Sequence, residues 1–265
     1  MAAKAPISSV SSQNKPKYPP FDKDELRAKL ALQARWKQRS YETSKNVHIP
    51  ELEKYFQKAG DGVDDLVVRL GASGIERMKT TGQPKPKGPP MICLLGDSML
   101  ERMKSTGKSH SFQPWPSRVL LPNAPKRLEN VFNAGVGGDK IQNIVYRLLG
   151  SSEHNQQLTG LGELFEGKNV KLWILHMCTN NLTPASSLRD SDIVLYGQLI
   201  RYLIALTPSA KILVTELFYR KDIRDVHVDS ANARLREMVR CVREDVRERG
   251  GDERTVEWLE PARRV

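Results

Sequence analysis

Short apolar runs punctuate the second two-thirds of the chain, at Ile92 to Leu95, Val131 to Asn133, Val170 to His176, Ile212 to Leu217 and Val256 to Leu259. Each is short enough to be a buried strand. Between them the apolar residues fall instead at helical spacing. Asp190 to Leu206 carries Ile193, Leu195, Tyr196, Leu199, Ile200 and Leu203 on one stripe. Asp229 to Arg249 does the same with Ala233, Leu235, Met238, Val239, Val242 and Val246, and a shorter pattern runs Ile141, Ile144, Val145, Leu148. Strands that alternate with helices predict a parallel five-stranded sheet with helices on both faces, a three-layer α/β/α domain.

The first third of the chain is patterned differently. Residues 1–22 lack apolar periodicity and read as a disordered basic tail. Residues 23–82 read as a helical extension. Within it Leu26 to Arg39 alternates Arg27, Lys29, Arg35, Lys37 and Arg39 with Leu26, Leu30, Ala34 and Trp36, as a helix with one solvated face would. Pro50 is expected to open a helix through Lys58. Leu66, Val67, Leu70, Ile75 and Met78 mark another between Val63 and Lys79. The proline-rich stretch 83–90 cannot continue a helix or a central strand and is read as the linker, leaving 91–265 as the main domain.

Three of the predicted strand-to-helix turns carry chemistry. The run Met91 to Leu95 leads into Gly96-Asp97-Ser98-Met99, which puts a serine hydroxyl on an exposed turn and its amide at a helix start. Val131-Phe132 leads into Asn133-Ala134-Gly135-Val136-Gly137-Gly138-Asp139, where glycines let backbone amides approach a ligand. Lys171 to Met177 leads into Cys178-Thr179-Asn180-Asn181, which adds a side-chain amide. In an open parallel sheet all three turns lie at the carboxyl ends of the strands, where such sheets bind ligands. By themselves, Asp97, Ser98 and Asp139 are equally suited to capping helices.

In these three ordered blocks the sequence resembles the SGNH (GDSL-like) hydrolases, over roughly residues 90 to 260. Within that family it is similar to the platelet-activating-factor acetylhydrolase-like branch and to related fungal esterase-type proteins. The resemblance implies a flavodoxin-like α/β/α fold and a serine esterase acting on small acyl esters without metal or organic cofactor. It also implies roles: Ser98 as nucleophile, the Gly138 amide and the Asn180 side chain as oxyanion donors, with Asn181 supporting Asn180. Two departures are visible. Cys178 stands where the family usually has glycine, and the Asp-x-x-His that supplies the family's general base occurs nowhere in the chain. The domain is therefore expected to be truncated at its carboxyl end and impaired as an enzyme, or to be a non-catalytic acyl-pocket protein. Such a truncation predicts apolar exposure beside the last strand, at Trp258 or Val256.

His227 follows the strand ending near Leu217 and is the candidate substitute base, a surface or helix-capping role being the competing reading. His176, inside a strand, reads as a hydrogen-bonded core residue, while His48, His110 and His154 have no catalytic setting.

Composition bounds the remaining choices. Three irregularly spaced cysteines, Cys93, Cys178 and Cys241, argue against a disulfide framework or a zinc cluster. No apolar run approaches the roughly 18 residues of a membrane span, and the start lacks the apolar stretch of a secretory signal. A cytoplasmic location is expected. A mitochondrial one is the alternative, because the first twenty residues are serine-rich and free of acids, although they hold no arginine. The net charge of +11 raises the question of nucleic acid, and residues 1–90 hold 17 Lys/Arg against 10 Asp/Glu. No nucleic-acid motif accompanies this excess, so a solvated helix face is expected and no nucleic-acid partner.

Overall fold

A computed structural model describes residues 18–57, 87–109, 130–153 and 157–260. Its centre is a parallel sheet in the order β2-β1-β5-β6-β7, built from β1 (Lys87–Gly96), β2 (Val131–Gly135), β5 (Lys168–His176), β6 (Lys211–Thr215) and β7 (Val256–Leu259). A two-residue hairpin pair, β3 (Gly150–Ser151) and β4 (Leu158–Thr159), lies outside it. Among the described residues five helices accompany the sheet: α4 (Ser98–Ser109), α5 (Ile141–Leu149), α6 (Leu161–Phe165), α7 (Asp190–Leu206) and α8 (Asp225–Glu248). The architecture is the three-layer α/β/α arrangement that the alternation of periods predicts.

The register places the strand ends together. Gly96 pairs with Gly135 on one side and with His176 on the other, so the turns after β1, β2 and β5 leave the sheet at one level. Trp173 anchors the layer beneath them. It is fully buried, donates Nε1–H to Thr207 Oγ1 at 2.9 Å, and packs edge-on against Phe165 at 4.9 Å. Phe165 in turn meets Phe132 at 5.9 Å. Such aromatic contacts each add about 0.5–1.5 kcal/mol beyond the area they bury.

β1 begins at Lys87, inside the proline-rich stretch, rather than at Met91. Pro89 and Pro90 lack the N–H a ladder needs, and the register is irregular between Lys87 and Ile92 before regular pairing resumes. β6 ends earlier than the apolar run: Leu217 leaves the ladder because the Asn232 side chain takes both its backbone groups, accepting from the N–H at 2.8 Å and donating to the carbonyl at 3.1 Å. That contact also draws α8 toward β6.

The extension departs from a single basic helix. Asp22 caps α1 (Lys23–Ala31) by accepting from the amides of Asp24 and Glu25, and Leu26 and Leu30 are buried against the main domain. The helix stops because α5 captures the backbone of Arg35: its N–H donates to Gln142 O at 3.0 Å and its carbonyl accepts from Asn143 Nδ2 at 2.9 Å. The chain restarts as α2 (Gln38–Thr43), widens into a π-turn over Ser44–His48, and continues as α3 over 49–57. Pro50 therefore does not open a helix. It sits two residues past the end of the π-turn, where a widened turn relieves the clash between its ring and the preceding carbonyls. The predicted helix Val63 to Lys79 lies outside the described residues.

Along β5 and β6 the fully buried Trp173, Leu175, Ile212 and Val214 alternate with the half-buried Leu172, Ile174 and Leu213. At β7 the expected exposure of Val256 or Trp258 is not found. Val256 is 0 % exposed, Trp258 is half-buried with the Arg236 guanidinium 5.6 Å from its ring, and the exposed apolar side chain is Leu259, at 46 %.

Candidate active site

Ser98 is the first residue of α4, so its N–H is one of the first-turn amides without an intrahelical partner. Asp97, wholly buried, orients this turn: its Oδ1 accepts from Met99 N at 3.0 Å and its N–H donates to His176 O at 3.3 Å. The turn can lie this close to β5 because residue 96 is glycine. A Cβ there would stand 1.9 Å from His176 O.

The turn after β2 is held from beneath by a buried ion pair. Arg147 and Asp139 are both 0 % exposed, with Arg147 Nε donating to Asp139 Oδ2 at 2.9 Å. The same guanidinium donates to Ala134 O at 2.9 Å and Gly96 O at 3.3 Å, tying the ends of β1 and β2 to one side chain. Burial pushes the Arg147 guanidinium below its ordinary value, and the Asp139 charge opposes that shift. Ser40 Oγ and Lys37 Nζ complete the shell of Asp139. Gly138 adopts φ +75°, a backbone conformation that favours glycine and that carries the chain past Ser98.

The turn after β5 contains a second left-handed residue, Cys178, at φ 81°. The thiol is accommodated in a conformation that costs a side-chain-bearing residue about 1–2 kcal/mol. The thiol is fully enclosed and burial pushes its pKa up. Beyond it, Asn180 Nδ2 donates to Asp139 O at 3.0 Å, which fixes the amide plane and leaves its second N–H for a ligand. Asn181 staples the turns, accepting from Ile141 N at 3.0 Å and donating to Gln142 Oε1 and Asp192 Oδ1.

Ser98, Gly138 and Asn180 thus come together. All three line one open cleft of about 600 Å³, with Gly137 and Thr179 between them. A larger cavity, about 1060 Å³, lies between α1, α7 and α8, but none of its lining residues belongs to the three turns. Among the described residues no three His, Cys, Asp or Glu side chains converge to hold a metal ion.

His227 is not brought to the cleft. It lies in the first turn of α8, which starts at Asp225, and its carbonyl accepts from Ser187 Oγ at 2.9 Å. His176 is buried and satisfied, its ring stacked on Phe218 at 5.0 Å. Thr215 Oγ1 donates to Leu175 O, so at its 2.7 Å contact with His176 Nδ1 it accepts, placing the ring proton on Nδ1. Nε2 then faces Thr179 Oγ1 at 3.4 Å. Burial lowers the His176 pKa despite the opposing Asp97 charge, so the imidazole is neutral at neutral pH.

Two features of the site escape a reading of the sequence. Arg147 falls on the apolar stripe of its helix, three residues after Ile144, and that misplacement of a charge was the available signal. The other is the extension: Arg39 lines the cleft and donates to both Glu101 oxygens at 3.0 Å, while Lys37 Nζ donates to Gly137 O at 3.2 Å.

No protein-family model matches the chain, and no curated protein matches its sequence. Solved structures give weak likenesses. A chain from Streptococcus pneumonia described as a platelet activating factor aligns over 80% of this chain and 79% of its own, at 13% identity and a TM-score of 0.34. A carbohydrate esterase family 3 protein from Talaromyces cellulolyticus aligns over 65% and 78%, at 14% identity and a TM-score of 0.36. A serine-to-alanine variant of the esterase AlinE4 aligns over 62% and 75%, at 12% identity and a TM-score of 0.31.

Proposed function

We propose that this chain is a serine ester hydrolase of the SGNH type, acting on small acyl esters through Ser98. The observation that carries the reading is the convergence of a helix-start serine, a left-handed glycine turn and a fixed side-chain amide on one cleft. Ser98 Oγ attacks the acyl carbonyl and gives up its proton. The developing oxyanion is held by the amides of Ser98 and Gly138 and by the free N–H of Asn180. Collapse expels the alcohol, which takes a proton, and leaves an acyl-serine that water hydrolyses.

Among the described residues no histidine lines the cleft, and we propose that the proton of Ser98 passes to water rather than to an imidazole. Turnover is accordingly slow, at the level that oxyanion donors and positioning alone provide, about 10³–10⁴ over water. The same observation favours a second reading, a protein that binds acyl groups without turning them over.

Intact-mass spectrometry after mixing with 4-nitrophenyl acetate separates the two. The esterase reading expects an acetyl adduct on Ser98 that decays with product release, its loss in Ser98→Ala, and a slowing of about 10²–10³ in Asn180→Ala. An unmodified chain that still binds the ester saturably selects the binding protein. Equal release by wild type and Ser98→Ala refutes the esterase.

A further inference from the structure

Cations approach Ser98 from two directions that are remote in sequence. Since β1 lies between β2 and β5, Ser98 sits between the Gly137–Gly138 turn and the Thr179–Asn180 turn. On the first side stands α2 of the extension, with Arg39 lining the cleft and Lys37 held to Gly137 O. On the other, Arg220 donates Nη1–H to Thr179 O at 3.1 Å and is followed by Lys221, also on the lining. Against Arg39, Arg220 and Lys221 the cleft sets, among the described residues, two carboxylates, each already engaged: Glu101 by Arg39, and Asp222 by both Arg220 Nε and Nη2. The Asp222 pKa is lowered by that hydrogen bond, so it stays ionised and stays with Arg220.

The apolar content of the cleft is as informative as its charge. Among the described residues Met99 supplies the single apolar side chain of the lining. The described walls offer a long acyl or alkyl chain little to bury against beyond Met99, whereas sites for such ligands are lined predominantly by apolar groups. A cleft with surplus positive charge and little apolar wall concentrates anions instead.

We infer that the substrate is a short-chain acyl ester whose alcohol half carries a phosphate or carboxylate, seated between Arg39 and the Arg220-Lys221 pair. This rests on the ester-hydrolase reading for the direction of the substrate: the oxyanion donors fix the carbonyl on the cleft floor, so the charge belongs to the alcohol that rises between the walls. Lys221 is the adjustable member, exposed and without a carboxylate partner in the lining. Arg39 and Arg220 are pre-oriented by theirs.

The test separates binding from turnover by using three polyols that differ in charge, glycerol 3-phosphate, glycerate and glycerol, titrated into the full chain and followed by ligand-observed NMR. Glycerol 3-phosphate or glycerate is expected to bind at least about tenfold more tightly than glycerol, as a charge-assisted hydrogen bond allows. Which of the two is preferred identifies the anionic group. Lys221→Gln and Arg39→Gln should each weaken the anion about fivefold or more and leave glycerol unchanged. Raising salt from about 20 to about 300 mM should weaken the anion alone. Equal binding of all three polyols, or anion binding indifferent to both substitutions, overturns the inference. Hydrolysis of 4-acetoxybenzoate and of its neutral methyl ester reports on the other claim. Anion binding without Ser98-dependent hydrolysis of either ester removes the esterase reading and keeps the anion site. Ser98-dependent hydrolysis that prefers the neutral ester removes the anion site and keeps the esterase.

Discussion

Replacing Arg147 by methionine tests the part of the molecule on which the site geometry rests. Methionine keeps an unbranched stem of similar reach, so packing around the aliphatic part of Arg147 is largely preserved and the loss reports the guanidinium. Three acceptors lose their donor: Asp139 Oδ2, Ala134 O and Gly96 O, all within 3.3 Å of the guanidinium nitrogens. Asp139 is left as a wholly buried carboxylate with Ser40 and the more distant Lys37, 3.4 Å away, as its remaining partners. Removing one member of a buried pair costs about 3–5 kcal/mol. The hydrogen bonds lost at Ala134 O and Gly96 O add less, about 0.5–1.5 kcal/mol each, since Gly96 O keeps the Val136 N–H at 3.2 Å and water reaches the loosened strand ends. A loss of about 4 kcal/mol is the expected outcome in urea denaturation, a large share of the roughly 5–15 kcal/mol that holds a domain. Adding Asp139→Asn to that background removes the orphaned charge and should restore about 1–3 kcal/mol. A loss under about 1 kcal/mol for Arg147→Met would refute the reasoning, since it would mean that the guanidinium is not holding the ends of β1 and β2. No recovery in the double variant would locate the cost in the carbonyls rather than in the buried charge.

Two further outcomes follow from the local geometry. Cys178→Gly relieves a left-handed backbone worth about 1–2 kcal/mol but gives up a buried thiol and loosens the unfolded chain, so its thermal midpoint should stay close to that of the wild type. Cys178→Val, branched at φ 81°, should lose more than about 2 kcal/mol, and a Gly variant as damaged as Val would remove the strain argument. His176 has a folded pKa below 6.5, because burial disfavours the cation. The unfolded chain therefore binds more protons in the window between that folded value and 6.5, and stability is complete above it and declines as pH falls through it. Urea midpoints at about pH 7.5 and pH 5 should show this decline in wild type and a smaller one in His176→Gln; equal declines would place the sensitivity elsewhere.

The strands and the three chemical turns were legible because they depend on burial and on short-range backbone demands. A parallel strand covered on both sides must be apolar throughout, and the turn that follows it must find residues that tolerate close approach. Gly96 and Gly138 answer that demand in the sequence as plainly as in the fold. What the sequence concealed depends on partners distant along the chain. Nothing local to Leu32 or Lys37 announces that α5 will capture the backbone of Arg35, so the basic periodicity there reads as one continuous helix. The end of β6 is hidden for the same reason, being decided by Asn232 fifteen residues later. His227 shows the cost of a misplaced boundary: with α8 starting at Asp225 instead of Asp229, a histidine that seemed to ride on a free loop belongs to a packed first turn.

The extension changes what the chain's positive charge means. Read as composition, a basic amino-terminal third suggests a solvated face or a polyanion. Read as geometry, its basic residues separate by task. Arg27 and Lys23 pair with Glu163 and Glu166 and fasten α1 to the body of the domain. Lys37 and Arg39 lie beyond the break imposed at Arg35, and the break turns them away from α1 and onto the Gly137–Gly138 turn. Had the helix run unbroken from Leu26 to Arg39, these two side chains would have projected along its axis and not over the ends of β1 and β2. The capture of Arg35 by Gln142 and Asn143 is therefore the step that converts a basic extension into a wall of the Ser98 cleft. The residues that shape what enters the cleft lie outside the three blocks that built its floor.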